Sequence, residues 1–192
     1  MIAGIATERP AAVVISACEM PPAQQARQGG PAIGDHAFAH RHVDADLDLL
    51  AQGFAPPGAG LPEGGIETPE ILAMLRDLAA TISPDFAPAA WLVLAGGEIV
   101  GLLSLVKPPA DGIITIGYGV APARRGRGHA TAAVRALCEW ARQDARVAEV
   151  LAETGENNQP SQQVLAANGF ACTGRRDDPD DGPLLCWSLT VG

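Results

Sequence analysis

Two rhythms of apolar residues run along the chain, one with the period of a helix and one with that of a strand. Ile71, Leu72, Leu75, Leu78 and Ala79 recur at helical spacing behind Thr68-Pro69-Glu70. A capping hydroxyl, a proline at the first helical position and an early acid together predict a helix starting there. Val134, Leu137 and Ala141 mark one face of a second helix, from His129 to about Arg142, with Arg135 and Glu139 on the other face. A helix carrying Leu47 and Leu50 is predicted behind Asp44 as N-cap, and a short one over Pro160 to Ala167, stopped by Asn168-Gly169.

The strand-like runs are Ala37 to Val43, Trp91 to Leu94, Ile99 to Val106, Ile113 to Val120, Val147 to Thr154, Phe170 to Gly174 and Leu184 to Leu189. Gly96-Gly97 is a hairpin turn between two of them. Pro56 to Gly65 is a Pro/Gly loop, and Arg175 to Pro183 reads as a polar loop between the last two strands. The order is β, α, α, β, β, β, α, β, α, β, β. Hairpins in the middle and a strand–helix–strand unit later imply an α/β fold: one mixed sheet with helices on its faces.

Domain organisation follows. Residues 35–192 are expected to form a single domain, and residues 1–34 an N-terminal extension, partly irregular, with Val13-Val14-Ile15 as its one short strand candidate. The chain's 192 residues, 47% apolar and 18% charged, suffice for one core.

A net charge of -9 argues against general binding of nucleic acid or an anionic membrane. No apolar run approaches the roughly 20 residues that cross a bilayer. The four cysteines, Cys18, Cys138, Cys172 and Cys186, stand far apart with no C-x-x-C pair, as free thiols of a cytoplasmic protein would. His36, His40 and His42 with Asp35, Asp44, Asp46 and Asp48 suit the exposed face of a strand and a helix start, and no metal site is predicted.

In so acidic a chain the basic run Arg124-Arg125-Gly126-Arg127-Gly128-His129 needs a local reason. It joins the strand Ile113 to Val120 directly to a helix. The first amides of a helix lack partners within it and carry partial positive charge. Gly126 and Gly128 permit close backbone approach and positive φ. Together these features make a phosphate cradle. The other reading of the turn alone is a solvated basic cap. A Walker loop is excluded, because the sole lysine is Lys107, and the third Gly or Ala of a dinucleotide fingerprint is missing.

Arg125-x-x-Gly128-x-Ala130 resembles the R/Q-x-x-G-x-G/A signature of the GCN5-related N-acetyltransferases (GNAT), and Ile-Gly-Tyr-Gly-Val-Ala-Pro before it resembles their fourth strand. Asn158-Gln159-Pro160-Ser161, Val164-Leu165 and Asn168-Gly169-Phe170 are similar to a pattern of the subgroup that includes the ribosomal-protein N-terminal acetyltransferases. The resemblance covers about residues 37–190. It implies a mixed, mostly antiparallel sheet splayed between the fourth and fifth core strands, with acetyl-CoA in the opening. It further implies that backbone at Tyr118 and Val120 pairs with the pantetheine arm. Amides of Arg125, Gly126, Arg127, Gly128, His129 and Ala130, with Thr131, would hold the pyrophosphate, and Asn158 would reach the cofactor from the other side.

Acetyl transfer to an amine needs a neutral amine, a polarised thioester and a proton for the leaving thiolate. Ser161, in the first turn of its helix, is the proton-donor candidate; it is equally a hydroxyl bonding a free helix amide. Glu153, at its strand end, is the base candidate; its other reading is a solvent-facing strand end. The family's frequent acids fall here on Thr115 and Ala132, and a tyrosine some members use falls on Leu165. The acceptor would be a protein N-terminus or a small-molecule amine, met by the loop Gln52 to Thr68 with Glu63 and Glu67. A homodimer is compatible with the sequence. The alternative function is a non-catalytic acyl-CoA-binding sensor or regulatory module.

Overall fold

A computed structural model describes residues 43–192. The order is α1 (Val43–Ala51), α2 (Pro69–Ile82), β1 (Ala90–Ala95), β2 (Glu98–Leu105), β3 (Ile113–Val120), α3 (His129–Ala141), β4 (Glu149–Gly155), α4 (Gln159–Ala167), β5 (Ala171–Asp178) and β6 (Gly182–Thr190). The expected extension 1–34 and the expected strand over 37–43 lie outside the described residues, except that Val43 belongs to α1. Asp44 therefore stands within that helix, as its second residue.

The six strands form one sheet in the order β1-β2-β3-β4-β6-β5. Four of its five pairs are antiparallel, and β3 with β4 is parallel. Gly96 and Gly97, with φ of 58° and 80°, make the hairpin turn that an L side chain would strain.

Register assigns the faces, because directly paired residues point the same way. Trp91 pairs with Leu103 and Leu103 with Tyr118. The Trp91 ring packs edge-on against Trp140 of α3, with centroids 5.0 Å apart, and the Tyr118 hydroxyl reaches α4. Trp91, Leu103, Ile114, Ile116, Tyr118, Val150 and Ala152 thus share the α3/α4 face, and all are buried. Leu92 and Leu102 turn to the opposite face, where Leu47 and Leu50 of α1 and Leu72, Leu75, Ala79 and Ile82 of α2 complete the core. Thr115, Leu151 and Glu153 share that second face.

The polar loop expected over 175–183 is corrected. β5 and β6 run through Asp178 and from Gly182, closing a longer hairpin. β5 is the edge strand and almost wholly exposed, so polar side chains there cost nothing and blunt the edge. β4 starts at Glu149; Val147 is buried in the turn ahead of it.

Candidate acetyl-CoA site

The parallel ladder between β3 and β4 is short. It runs from Ile113 with Glu149 to Ile116 with Ala152 and stops. β3 continues to Val120 and β4 to Gly155 without pairing to each other, so a seam opens in the middle of the sheet. The Thr115 carbonyl accepts from Val106 N and the Ala121 amide donates to Val100 O, both on the β2 side. Backbone groups alternate along a strand. Those of Tyr118 and Val120 therefore point into the seam, where no strand meets them. The Val120 carbonyl accepts from Arg125 Nε at 3.1 Å.

At the end of β3 the chain makes a short 3-10 turn over Pro122–Arg124 and enters α3 through Gly126 and Gly128, whose φ values are 72° and 80°. Gly128 is the N-cap and no side chain caps the helix. The first helical bond is from Ala132 N to Gly128 O at 3.0 Å. The amides of Gly126, Arg127, Gly128, Ala130 and Thr131 have no acceptor among the described residues. A Cβ placed on Gly126 or Gly128 would meet nothing within 4 Å. Open amides converge on open space at the positive end of a helix, and this fits a pyrophosphate.

The arginines divide their work. Arg124 is held by Glu98, Nε to Oε2 at 2.8 Å and Nη2 to Oε1 at 3.0 Å, so its charge is neutralised. Arg125 lies back along the seam edge. Arg127 is exposed, has no partner among the described residues, and is free to meet an anionic ligand. His129 and Thr131 are half-buried in the first turn of α3.

Across the seam, Asn158 caps α4 by accepting from Ser161 N at 3.2 Å. The Tyr118 hydroxyl donates to the Ser161 carbonyl at 2.6 Å. Burial raises the Tyr118 pKa far above the ordinary phenol value, which keeps that donor protonated. Ser161 is half-buried, and its hydroxyl has no partner among the described residues. Asn168 Nδ2 ties the end of α4 to the Thr131 carbonyl at 3.2 Å, and Gln162 Nε2 ties its start to Gly155 O and Glu156 O.

Glu153 is placed differently from the other site residues. It lies on the opposite face, in a two-pronged ion pair with Arg176 of β5: Oε1 to Nε at 2.7 Å and Oε2 to Nη2 at 2.6 Å. Arg176 holds its pKa below the usual carboxylate range. Asp178 shares the same guanidinium and is pulled down to about 2, first by Arg176 and then by two loop amides. Sequence reasoning missed Arg176, because the run Arg175-Arg176-Asp177-Asp178 has no apolar alternation to mark a strand. It also missed Glu98, whose link to Arg124 joins residues 26 apart.

The open edge of β3 and the glycine turn behind it are the features that the family resemblance led one to expect. The family model for the acetyltransferase (GNAT) domain matches residues 41–171, more than half of the chain. The chain belongs to the GNAT acetyltransferase family. It is an acyltransferase whose cosubstrate is acetyl-CoA. No curated protein matches it.

Solved structures share the fold at low identity. RimL, the ribosomal L7/L12 alpha-N-protein acetyltransferase in complex with coenzyme A, superposes with a TM-score of 0.60 at 15% identity, covering 77% of this chain and 90% of that one. The Salmonella typhimurium acetyltransferase that modifies the N-terminal serine of 50S subunit protein L7/L12 gives 0.56 at 17%, covering 66% and 77%. The aminoglycoside acetyltransferase AAC(6')-Ib in complex with coenzyme A gives 0.54 at 19%, covering 77% and 90%. No helix among the described residues is long and apolar enough to cross a membrane, and none of their His, Cys, Asp or Glu side chains form a metal-binding group.

Proposed function

We propose that this GNAT protein acetylates a primary amine by direct attack in a ternary complex, with the amides of Gly126, Arg127, Gly128, Ala130 and Thr131 on the pyrophosphate (the Arg125 amide is taken by the Pro122 carbonyl), Tyr118 and Val120 backbone along the pantetheine arm, and Ser161 as proton donor. The observation that carries this reading is the coincidence of two openings: the unpaired edge of β3 leads directly into the nest of unpartnered amides. Acetyl-CoA supplies an activated thioester. The chain's own part is to bind it at the phosphates, orient it along β3, and deliver a proton to the departing sulfur. Arg127 adds charge at the nest. Asn158 holds the first turn of α4 so that Ser161 stands beside the seam.

The ion pair with Arg176 bears on the base. A carboxylate with a depressed pKa is a weak proton acceptor, so Glu153 orders water and steadies the strand end while the amine loses its proton through solvent. The acceptor is a protein N-terminus or a small amine entering on the α1/α2 face. Glu63 and Glu67 stand on the loop at that side, Glu63 exposed and Glu67 accepting from the Thr68 amide. The free thiols at Cys138, Cys172 and Cys186 suit a cytoplasmic setting.

One observation favours a second reading. Neither Thr115 nor Ala132 supplies a carboxylate, and Glu153 is committed to Arg176. A CoA-binding sensor without turnover would tolerate both. Thiol release from acetyl-CoA, measured across a panel of small amines and N-terminal peptides, separates the two. Saturable, amine-dependent release supports the transferase; tight CoA binding with no release from any amine supports the sensor.

A further inference from the structure

Beyond Ile116 and Ala152 no ladder crosses the seam. One polar bond from β3 does cross to α4 among the described residues, and it is made by a side chain: Tyr118 Oη to the Ser161 carbonyl at 2.6 Å. The ring is 4% exposed, wedged on the α3/α4 face beside Ile116 and Leu103. The other ties on α4 hold it to different neighbours, Gln162 to the end of β4 and Asn168 to α3. They fix the helix relative to those elements, while Leu165 anchors it in the core; the polar tie to β3 is left to Tyr118.

We infer that the Tyr118 side chain is a positioning residue for acetyl transfer, bridging the open seam from β3 to set the Ser161 hydroxyl against the reacting thioester. The inference rests on the proposed role of Ser161. The backbone of Tyr118 faces the seam while its phenol grips the residue opposite, so one residue defines both edges of the opening. A proton donor works only within hydrogen-bond reach of the developing thiolate, and a displacement of about 1 Å can cost up to about a hundredfold in rate. The bond accepts at a main-chain carbonyl and leaves the Ser161 hydroxyl untouched. Tyr118 can thus hold the donor without competing for its proton.

Tyr118→Phe tests this, since it removes one oxygen and keeps the buried ring. The expected result is a fall in kcat of about three- to thirtyfold with KM for acetyl-CoA within twofold, because the phosphate nest is on another element. In a Ser161→Ala background the same change should produce no further fall, because its effect passes through Ser161. Amide hydrogen exchange supplies a readout independent of turnover: Gln162 to Leu165 should exchange faster in Tyr118→Phe, while α3 stays as in the parent. An unchanged kcat, an equal fall in the Ser161→Ala background, or unaltered exchange in α4 would overturn the inference. A parent protein that acetylates no amine would instead defeat the transferase reading and, with it, this role. An active parent matched by an equally active Tyr118→Phe would defeat this role alone.

Discussion

Gly128 offers the sharpest test of the site, because conformation and space can be separated there. Its φ of 80° is a conformation that an alanine adopts at a cost of about 1–2 kcal/mol. A Cβ at this position meets no protein atom within 4 Å, so packing adds nothing to that cost. For a chain of this size each kcal/mol moves Tm by about 2–4 °C. Gly128→Ala should therefore melt a few degrees lower, and Gly128→Asn, whose side chain tolerates positive φ, should melt closer to the parent. Ligand affinity should not follow that order. The Cβ enters the space where the phosphate would sit and pushes it off at least one amide. A hydrogen bond to a charged group contributes about 1.5–3 kcal/mol, so CoA binding should weaken by tenfold or more in both variants. Gly128→Glu adds like-charge repulsion and should abolish binding. The assay is thermal melting with and without CoA, backed by calorimetry. At a hundred times Kd, CoA adds about 2.7 kcal/mol, roughly 5–11 °C in the parent. ATP should add little. A folded Gly128→Glu that keeps the full CoA shift would refute the assignment, and so would an affinity loss in Gly128→Ala that Gly128→Asn does not share.

Ser161→Ala should lower kcat about ten- to a thousandfold and leave CoA affinity intact, read by thiol release and calorimetry. Glu153→Gln should leave the alkaline limb of the pH–rate profile unchanged; a defect confined to low pH would restore Glu153 as the base. Because Arg176 depresses the Glu153 pKa, the pair's stabilisation is complete above the unfolded carboxylate value near 4.5 and is lost as pH falls through the lower folded value. Asp178 extends that loss down to about pH 2. Acid melting of the parent against Glu153→Gln should therefore converge as pH drops below about 4. Thr115→Val should raise Tm by about 2–12 °C, since the Thr115 hydroxyl is buried without a partner among the described residues and leaving it so costs about 1–3 kcal/mol.

The elements that carry the site were legible because their signals are local. Thr68-Pro69 marks its helix start, and the Thr68 hydroxyl accepts from Ile71 N as a cap does. Ile113 to Val120 carries Thr115 as its one polar interruption, and the strand has those bounds. The glycine turn states its own φ requirement. Splaying of the sheet was implied by family resemblance alone; no residue of β3 or β4 announces that pairing will stop at Ile116. What stayed illegible depends on distant partners. The Glu153 carboxylate reads as free until β5 brings Arg176 beside it, 23 residues on and two strands away. Edge strands invite polar residues on both faces, which erases the alternation that would have revealed β5.

The seam also sorts the chemistry by side. Ser161 lies on the α3/α4 face through its bond with Tyr118, and Glu153 lies on the α1/α2 face through its register with Leu151 and Cys186. On the proposed reading the donor Ser161 stands on one side of the sheet and the amine enters on the other, beside Glu153. On the amine's side the local charge is close to balanced. Glu153 and Asp178 share the Arg176 guanidinium, and Lys107 is near enough to Glu153 to act on its charge. Two anions set against two cations give a cationic acceptor little net attraction at this point. Such attraction must come from farther out, and the loop between α1 and α2 is where Glu63 stands exposed with no ion-pair partner among the described residues. On the proposed reading, then, recognition of the acceptor's charge belongs to that loop, and the face of the sheet beneath it governs only how the reacting nitrogen is presented to the seam.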